Sequence, residues 1–151
     1  MSETQPRYTR SFHVRGKDFR GAGSVSTAIK AVLRGLGFAP DVVRRAAIAS
    51  YEAEMNVVIY AFEAEVTFAV ESDRVEIVFQ DRGPGIADVN QAMQEGFSTA
   101  PREVREMGFG AGMGLPNIRR NSDSLDITTT VGEGTRVAFE ILTAGRGAGG
   151  K

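Results

Sequence analysis

Glu52 and Asn56 are four residues apart, so on a helix a carboxylate and a carboxamide stand one turn above each other on one face, while Glu54 points elsewhere. Such a carboxylate can take a proton from an attacking hydroxyl or water. A neutral carboxamide oxygen suits Mg²⁺, which otherwise keeps water and substrate phosphates around it. A second feature is the run Gly108-Phe-Gly-Ala-Gly-Met-Gly-Leu-Pro, with glycine at every second position ahead of a helix-like segment. At that density the backbone reaches positive φ and several N–H groups can turn toward one anion. The third feature is Asp81-Arg-Gly-Pro-Gly-Ile. An ionised Asp only accepts hydrogen bonds, which suits an amino donor such as the exocyclic amine of adenine, and Gly83 and Gly85 let a flat base approach the backbone.

Taken singly, each feature has a plainer reading. A glycine run also makes a linker or a helix-leading turn, Asp-x-Gly-x-Gly is commonly a tight turn, and a Glu–Asn pair is commonly a solvated helix face. Two phosphate loops are excluded by what the run lacks. Gly114 is followed by Leu115 and Pro116, where a P-loop needs Lys and then Ser or Thr. The glycines alternate strictly and follow the charged stretch Arg102–Met107, where a dinucleotide fingerprint needs a strand and wider spacing. Around Glu52 and Asn56 the sequence is apolar nearly all round, through Ala46-Ala-Ile-Ala-Ser and Val57-Val-Ile-Tyr. Polar groups set there cost stability unless they face a cleft or find partners.

The elements that must carry these residues alternate between helix and strand patterns. Phe12–Arg15 reads as a short strand, and Ala22–Leu36 has helical apolar spacing at Val25, Ile29, Val32 and Leu33, stopped by Gly37. A second helix starts at Pro40 and Asp41, with Asp41 as its cap, and runs to Ala61. Glu65–Val70 and Arg74–Gln80 are rich in β-branched and aromatic residues and form a hairpin across Glu71-Ser-Asp. A polar stretch from Ala87 to Met107 follows, then a helix from Gly114 to Asn121. Leu125–Val131 and Thr135–Leu142 form a second hairpin joined at Gly132-Glu-Gly134. Strand runs separated from helix runs predict an α+β fold, a two-layer sandwich with helices on one face of a largely antiparallel sheet.

Size and composition bound the rest. A chain of 151 residues with an ordinary apolar fraction predicts one domain, placed here at 11–143 between flexible tails at 1–10 and 144–151. A formal net charge of −1 gives no electrostatic footprint for nucleic acid. No apolar run is long enough to span a bilayer, cysteine is absent, and the polar start lacks a signal peptide's apolar core, so a cytoplasmic home is expected. His13 is the one histidine; in a strand it reads as structural.

Glu52-x-x-x-Asn56, Asp81-x-Gly83-x-Gly85, the run ending Gly112-Met-Gly114-Leu115, and Gly134-Thr135 occur in the order of the N, G1, G2 and G3 boxes. In this the chain resembles the GHKL ATPase superfamily of gyrase, heat-shock chaperones, histidine kinases and MutL, over about Phe12 to Leu142. Its size, the Glu opening the first box and the Gly-Met-Gly-Leu-Pro ending look most like the bacterial anti-sigma and stress-switch serine/threonine kinases, especially the RsbT-like branch. The resemblance implies a Bergerat-type fold and an ATP site. Asp81 would bind the adenine amine with help from Thr135 through water, beside Gly83, Gly85 and Ile86. Asn56 would hold Mg²⁺, and Glu52 would be the general base for a Ser or Thr hydroxyl of an antagonist protein. Gly108, Gly110, Gly112, Met113, Gly114 and Leu115 would wrap the phosphates, the last glycines at a helix start that favours anions. Gly96–Met107 would be a lid whose Arg102 or Arg105 could reach the γ-phosphate, although paired charges also suit a partner-docking helix. Three functions follow: a partner-switching kinase, an ATP-binding module that sequesters a sigma factor or other regulator, and a simple ATP hydrolase. A homodimer through either hairpin or the first helix is also open.

Overall fold

A long helix whose sequence is apolar on most of its circumference must be packed on most of its circumference, and the segment after Pro40 is placed that way. A computed structural model describes residues 8–94 and 114–143. In chain order they form β1 (Tyr8–Arg15), α1 (Ser24–Gly35), α2 (Pro40–Tyr60), β2 (Glu63–Val70), β3 (Arg74–Arg82), α3 (Val89–Ala92), α4 (Gly114–Arg120), β4 (Ser124–Thr130) and β5 (Gly134–Leu142). The strands make one sheet in the order β1-β2-β3-β5-β4, with every neighbouring pair antiparallel. This is the α+β sandwich that the sequence predicts.

Period-two alternation decides which sheet face is covered. Val66 and Phe68 of β2, Val75, Ile77 and Phe79 of β3, and Val137, Phe139 and Ile141 of β5 are buried on the helix side. Their neighbours Glu65, Thr67, Glu76, Gln80, Arg136 and Glu140 face the other way, as expected of an antiparallel sheet with one wet face. His13 belongs to that wet face. Its Nε2 lies 2.8 Å from Glu63 Oε1, and Arg82 donates to the other oxygen of the same carboxylate. Hydrogen bonds from His13 and then Arg82 hold Glu63 below the usual carboxylate range. His13 therefore ties strands together, as its structural reading anticipates.

Twelve of the 21 residues of α2 are buried, so this helix meets neighbours on several sides. Ala46, Ala49 and Ala53 are among them, small enough for close approach. Arg45, also buried, donates Nη2 to Asp123 Oδ2 at 3.1 Å, and the same oxygen accepts the Leu142 N–H at 2.8 Å. That links the first half of α2 to the β4–β5 edge of the sheet.

The loop between β1 and α1 binds both helices by their ends. At the far end of α2, the Lys17 N–H donates to Val58 O at 2.7 Å and Lys17 Nζ donates to Ile59 O at 2.5 Å, satisfying carbonyls that a helix terminus leaves open. Lys17 takes a positive φ of 66° to do so. In return, Glu54 of α2, 1% exposed, accepts the N–H groups of Gly23, Val25 and Ser26 at 2.9, 3.2 and 3.1 Å. A side chain of one helix thus caps the N-terminus of the other. At its other end α1 closes as the sequence predicts: Phe38 N–H reaches Leu33 O and Gly37 N–H reaches Arg34 O, with Gly37 at φ 85°, a Schellman motif.

Three expectations need correction. The first strand begins at Tyr8, so residues 8–10 lie in the sheet and not in a tail; the Tyr8 ring meets Phe68 at 5.9 Å and Arg10 covers Phe12. Asp41 does not cap α2. Ala39 occupies the cap position, and Asp41 sits within the first turn, where its carboxylate pairs with Arg44 and faces the positive helix end. The polar stretch after Ala87 contains the short helix α3, whose start is capped by Asp88 Oδ1 accepting the Gln91 N–H at 3.0 Å. Glu54, unassigned from sequence, is the buried cap just described.

Replacing Glu54 by Ala orphans three buried or half-buried N–H groups at once. The expected outcome is a loss of about 3 kcal/mol of unfolding free energy or more, since each unmade buried bond costs about 1 kcal/mol or more. Chemical denaturation of Glu54→Ala checks this, and hydrogen exchange should show the first turn of α1 opening before α2.

Candidate functional site

The site residues fall into two groups, one built on the sheet and one on helix α2. In the sheet group, β3 alternation that buries Val75, Ile77 and Phe79 also turns Asp81 to the helix side at the strand's end. Its Oδ1 accepts the Thr135 N–H of β5 at 2.9 Å. Among the described residues no donor reaches the other oxygen, which is available to a ligand donor. Burial raises the Asp81 carboxyl above its usual range, and the Thr135 N–H only partly offsets that.

Two glycines are required by contact here. A Cβ on Gly134 would lie 2.2 Å from Asp81 O, and Gly134 holds φ 155°. A Cβ on Gly85 would lie 2.6 Å from Thr130 O, at φ 77°. Both let the turn after β3 press against the β4–β5 turn, and backbone bonds fasten the two: Gly83 N–H to Glu133 O at 3.0 Å and Gly132 N–H to Pro84 O at 2.8 Å. Ile86 N–H donates to Thr129 Oγ1 at 2.9 Å, and Thr129 donates to Gly134 O at 3.2 Å. That leaves Thr135 Oγ1, 3.0 Å away, to donate to Thr129. With its proton so used, the hydroxyl of Thr135, a residue 5% exposed, keeps lone pairs for a water or ligand donor.

In the helix group, Glu52 and Asn56 share one face of α2 and both are partly exposed, as the spacing predicts. The start of α4 is placed against them. A Cβ on Gly114 would lie 3.2 Å from Asn56 Oδ1 and 3.6 Å from Glu52 Oε1, so the glycine keeps the space beside both groups open. Asn117, one turn into α4, donates Nδ2 to Glu52 Oε2 at 3.0 Å. Leu115 is 7% exposed and belongs to the core, so its side chain anchors α4 and leaves only backbone to a ligand. The groups are joined where β3 leaves the sheet: a Cβ on Gly83 would lie 3.0 Å from Ala61 Cα, at the end of α2.

Gly108, Gly110, Gly112 and Met113, and the lid reading of residues 96–107 with Arg102 and Arg105, lie outside the described residues. Two participants escape the sequence reading. Thr129 sits in Thr128-Thr-Thr130, where nothing marks one hydroxyl above its neighbours. Asn117 carries a signal only once Gly114 is known to start a helix against Glu52.

Comparisons with known proteins agree with this layout. Residues 41–145 match the family described as histidine kinase-, DNA gyrase B-, and HSP90-like ATPase, a span that opens in α2 and takes in every motif above. The serine/threonine-protein kinase RsbT of Bacillus subtilis is 32% identical over 110 residues, covering 70% of this chain and 77% of that protein. Anti-sigma F factors of Caldanaerobacter subterraneus and Pasteuria penetrans are each 34% identical over 57% of this chain, which spans 60% and 59% of their lengths.

Because Asp81 Oδ1 is committed to the Thr135 N–H, Asp81→Asn keeps that bond and turns an NH₂ donor toward the ligand. An adenine amine would then meet a donor in place of an acceptor. Titration with ATP should show about 10- to 100-fold weaker binding, the cost of one mispaired polar contact. The unliganded variant should melt higher at neutral pH. The sign follows from the raised carboxyl: its charged form is disfavoured in the fold, so wild type loses stability as pH rises through the ordinary Asp range toward the raised value, and the variant does not.

Proposed function

We propose that this chain, which belongs to the histidine kinase-, DNA gyrase B-, and HSP90-like ATPase family, is an ATP- and Mg²⁺-dependent protein serine/threonine kinase that phosphorylates an antagonist protein in a partner switch. The observation that carries the reading is Glu52 held beside Asn56 against Gly114, a base, a metal-type oxygen and an unobstructed backbone in one place. The family brings ATP, and the name of the Bacillus subtilis relative brings the serine/threonine kinase activity.

Each residue has one task. Asp81 accepts from the adenine amine, and Thr135 and Thr129 form the polar wall beside it. Asn56 Oδ1 fits a Mg²⁺ that takes one neutral oxygen from the protein and the rest from phosphates and water, with Gly114 leaving that oxygen uncovered. Bound there, the ion would neutralise phosphate charge. Glu52 takes the proton of the Ser or Thr hydroxyl as its oxygen bonds to the γ-phosphorus and ADP departs. Phosphoryl transfer depends mainly on positioning and charge neutralisation, so a sparse set of protein groups suffices. A protein acceptor is favoured over water because Glu52 lies partly exposed on a helix, within reach of a docked chain. The partner is an antagonist carrying the hydroxyl; the anti-sigma names of two relatives support a sigma factor or similar regulator as a second partner of the same chain.

Glu52→Gln separates chemistry from binding. The expected outcome is a fall of about 100-fold or more in γ-phosphate turnover, the usual yield of a positioned base, with ATP affinity in Mg²⁺ changed by no more than about twofold. Phosphate release and equilibrium titration on the same preparation check it. A variant that turns over ATP like wild type removes Glu52 from the chemistry.

A further inference from the structure

Glu52 is held by a neighbour whose orientation is itself fixed. Asn117 Oδ1 accepts from Arg120 Nη2 at 2.9 Å, while Asn117 Nδ2 donates to Glu52 Oε2 at 3.0 Å. A guanidinium has donors only and a carboxylate acceptors only, so the amide is satisfied in one orientation: oxygen toward Arg120, nitrogen toward Glu52. Turned over, it would oppose donor to donor and acceptor to acceptor. The two oxygens of Glu52 are therefore unequal. Oε2 is engaged by Asn117, whereas Oε1 faces Gly114, the residue that also borders Asn56 Oδ1.

We propose that Asn117 is a positioning residue for phosphoryl transfer, holding Glu52 by Oε2 so that Oε1 is the oxygen that receives the acceptor's proton. This rests on the reading of Glu52 as the base. In the step, the acceptor oxygen bonds to the γ-phosphorus, the bond from that phosphorus to the β–γ bridging oxygen breaks, and ADP keeps the electron pair. The acceptor's proton goes to Glu52 Oε1. Without Asn117 the Glu52 side chain is free to rotate about its last bonds, and misplacement of a base by about 1 Å costs on the order of 100-fold. Arg120 locks the lock: it lies one turn further along α4 and sets which way the amide faces.

The test uses the full chain with MgATP, water as acceptor, and two readouts, steady-state phosphate release and thermal melting. Asn117→Asp keeps the size and the contact to Arg120 but sets a second carboxylate against Glu52. The expected result is a kcat about tenfold lower or more, a KM for ATP within about twofold, and a lower Tm. Pairing it with Glu52→Gln restores a donor–acceptor contact with the roles exchanged, so the double variant should recover Tm over Asn117→Asp without recovering turnover. Asn117→Leu, which removes the donor without adding charge, carries the kcat comparison if Asn117→Asp does not fold. Wild-type kcat in the Asn117 variants beside an inactive Glu52→Gln overturns the positioning role and leaves the base standing. Wild-type turnover in Glu52→Gln overturns the base itself. No recovery of Tm in the double variant overturns the contact.

Discussion

The buried carboxylate of Glu54 is the interaction on which the arrangement of the helices rests. A charge that is 1% exposed is tolerated only where its oxygens are fully used, and three backbone N–H groups at the head of α1 use them. The bond is directional as well as strong. It fixes the rotation of α2 about its own axis relative to α1, because the side chain at position 54 must keep facing the head of α1 to hold these bonds. Once Glu54 is committed to α1, Glu52 and Asn56, about 160° round the helix from it or more, must face the opposite side, toward α4. Lys17 completes the constraint from the same loop by holding the last carbonyls of α2. Position along the axis and rotation about it are thus set by different ends of one short connection.

The sheet half of the site obeys a different logic. Around Asp81 the protein spends its hydrogen bonds on holding backbone in place: Thr135, Thr129, Gly134 and Ile86 are linked to one another, and the turns at Gly83 and Gly132 exchange N–H groups with carbonyls. Among the described residues of this end, Asp81 keeps an oxygen without a protein donor in a half-buried place, and its raised carboxyl expresses the cost. A ligand amine that relieves that cost binds more tightly than the bare contact would allow, since the desolvation has already been met by folding. Stability and recognition are set against each other at one residue.

How much of this the sequence discloses depends on whether the signal is periodic or spatial. Gly37, Pro40 and the alternation through Val75, Ile77 and Phe79 mark local conformations, and the elements that they predict are found with small changes at the ends. Glu52 and Asn56 share a face because four residues make one turn, whatever surrounds them. Glu54 was opaque because its partners are 28 to 31 residues away and are backbone atoms, which carry no residue code. Asn117 was opaque for a related reason: its amide matters only through a pairing 65 residues distant. Tyr8 and Arg10 read as tail because the residues before Ser11 carry little apolar surface; the ring of Phe68 and the ladder to β2 supply what the local sequence lacks.

Two halves built by different means must still act on one molecule of ATP, and the residues that join them have no side chains to speak of. Gly83 lies against Ala61 just past the end of α2, and Gly114 lies against Asn56 in its last turns. Each is a point where a Cβ would meet its neighbour at 3.0 to 3.2 Å, so the separation between the Asp81 end of the sheet and the carboxylate on the helix is set by close contact rather than by a flexible linker. A close-packed join transmits position faithfully because protein interiors yield little. On the reading proposed above, the carboxylate then needs only local restraint to be aimed, and the Asn117 amide of α4, 3.0 Å from Glu52 Oε2, supplies it.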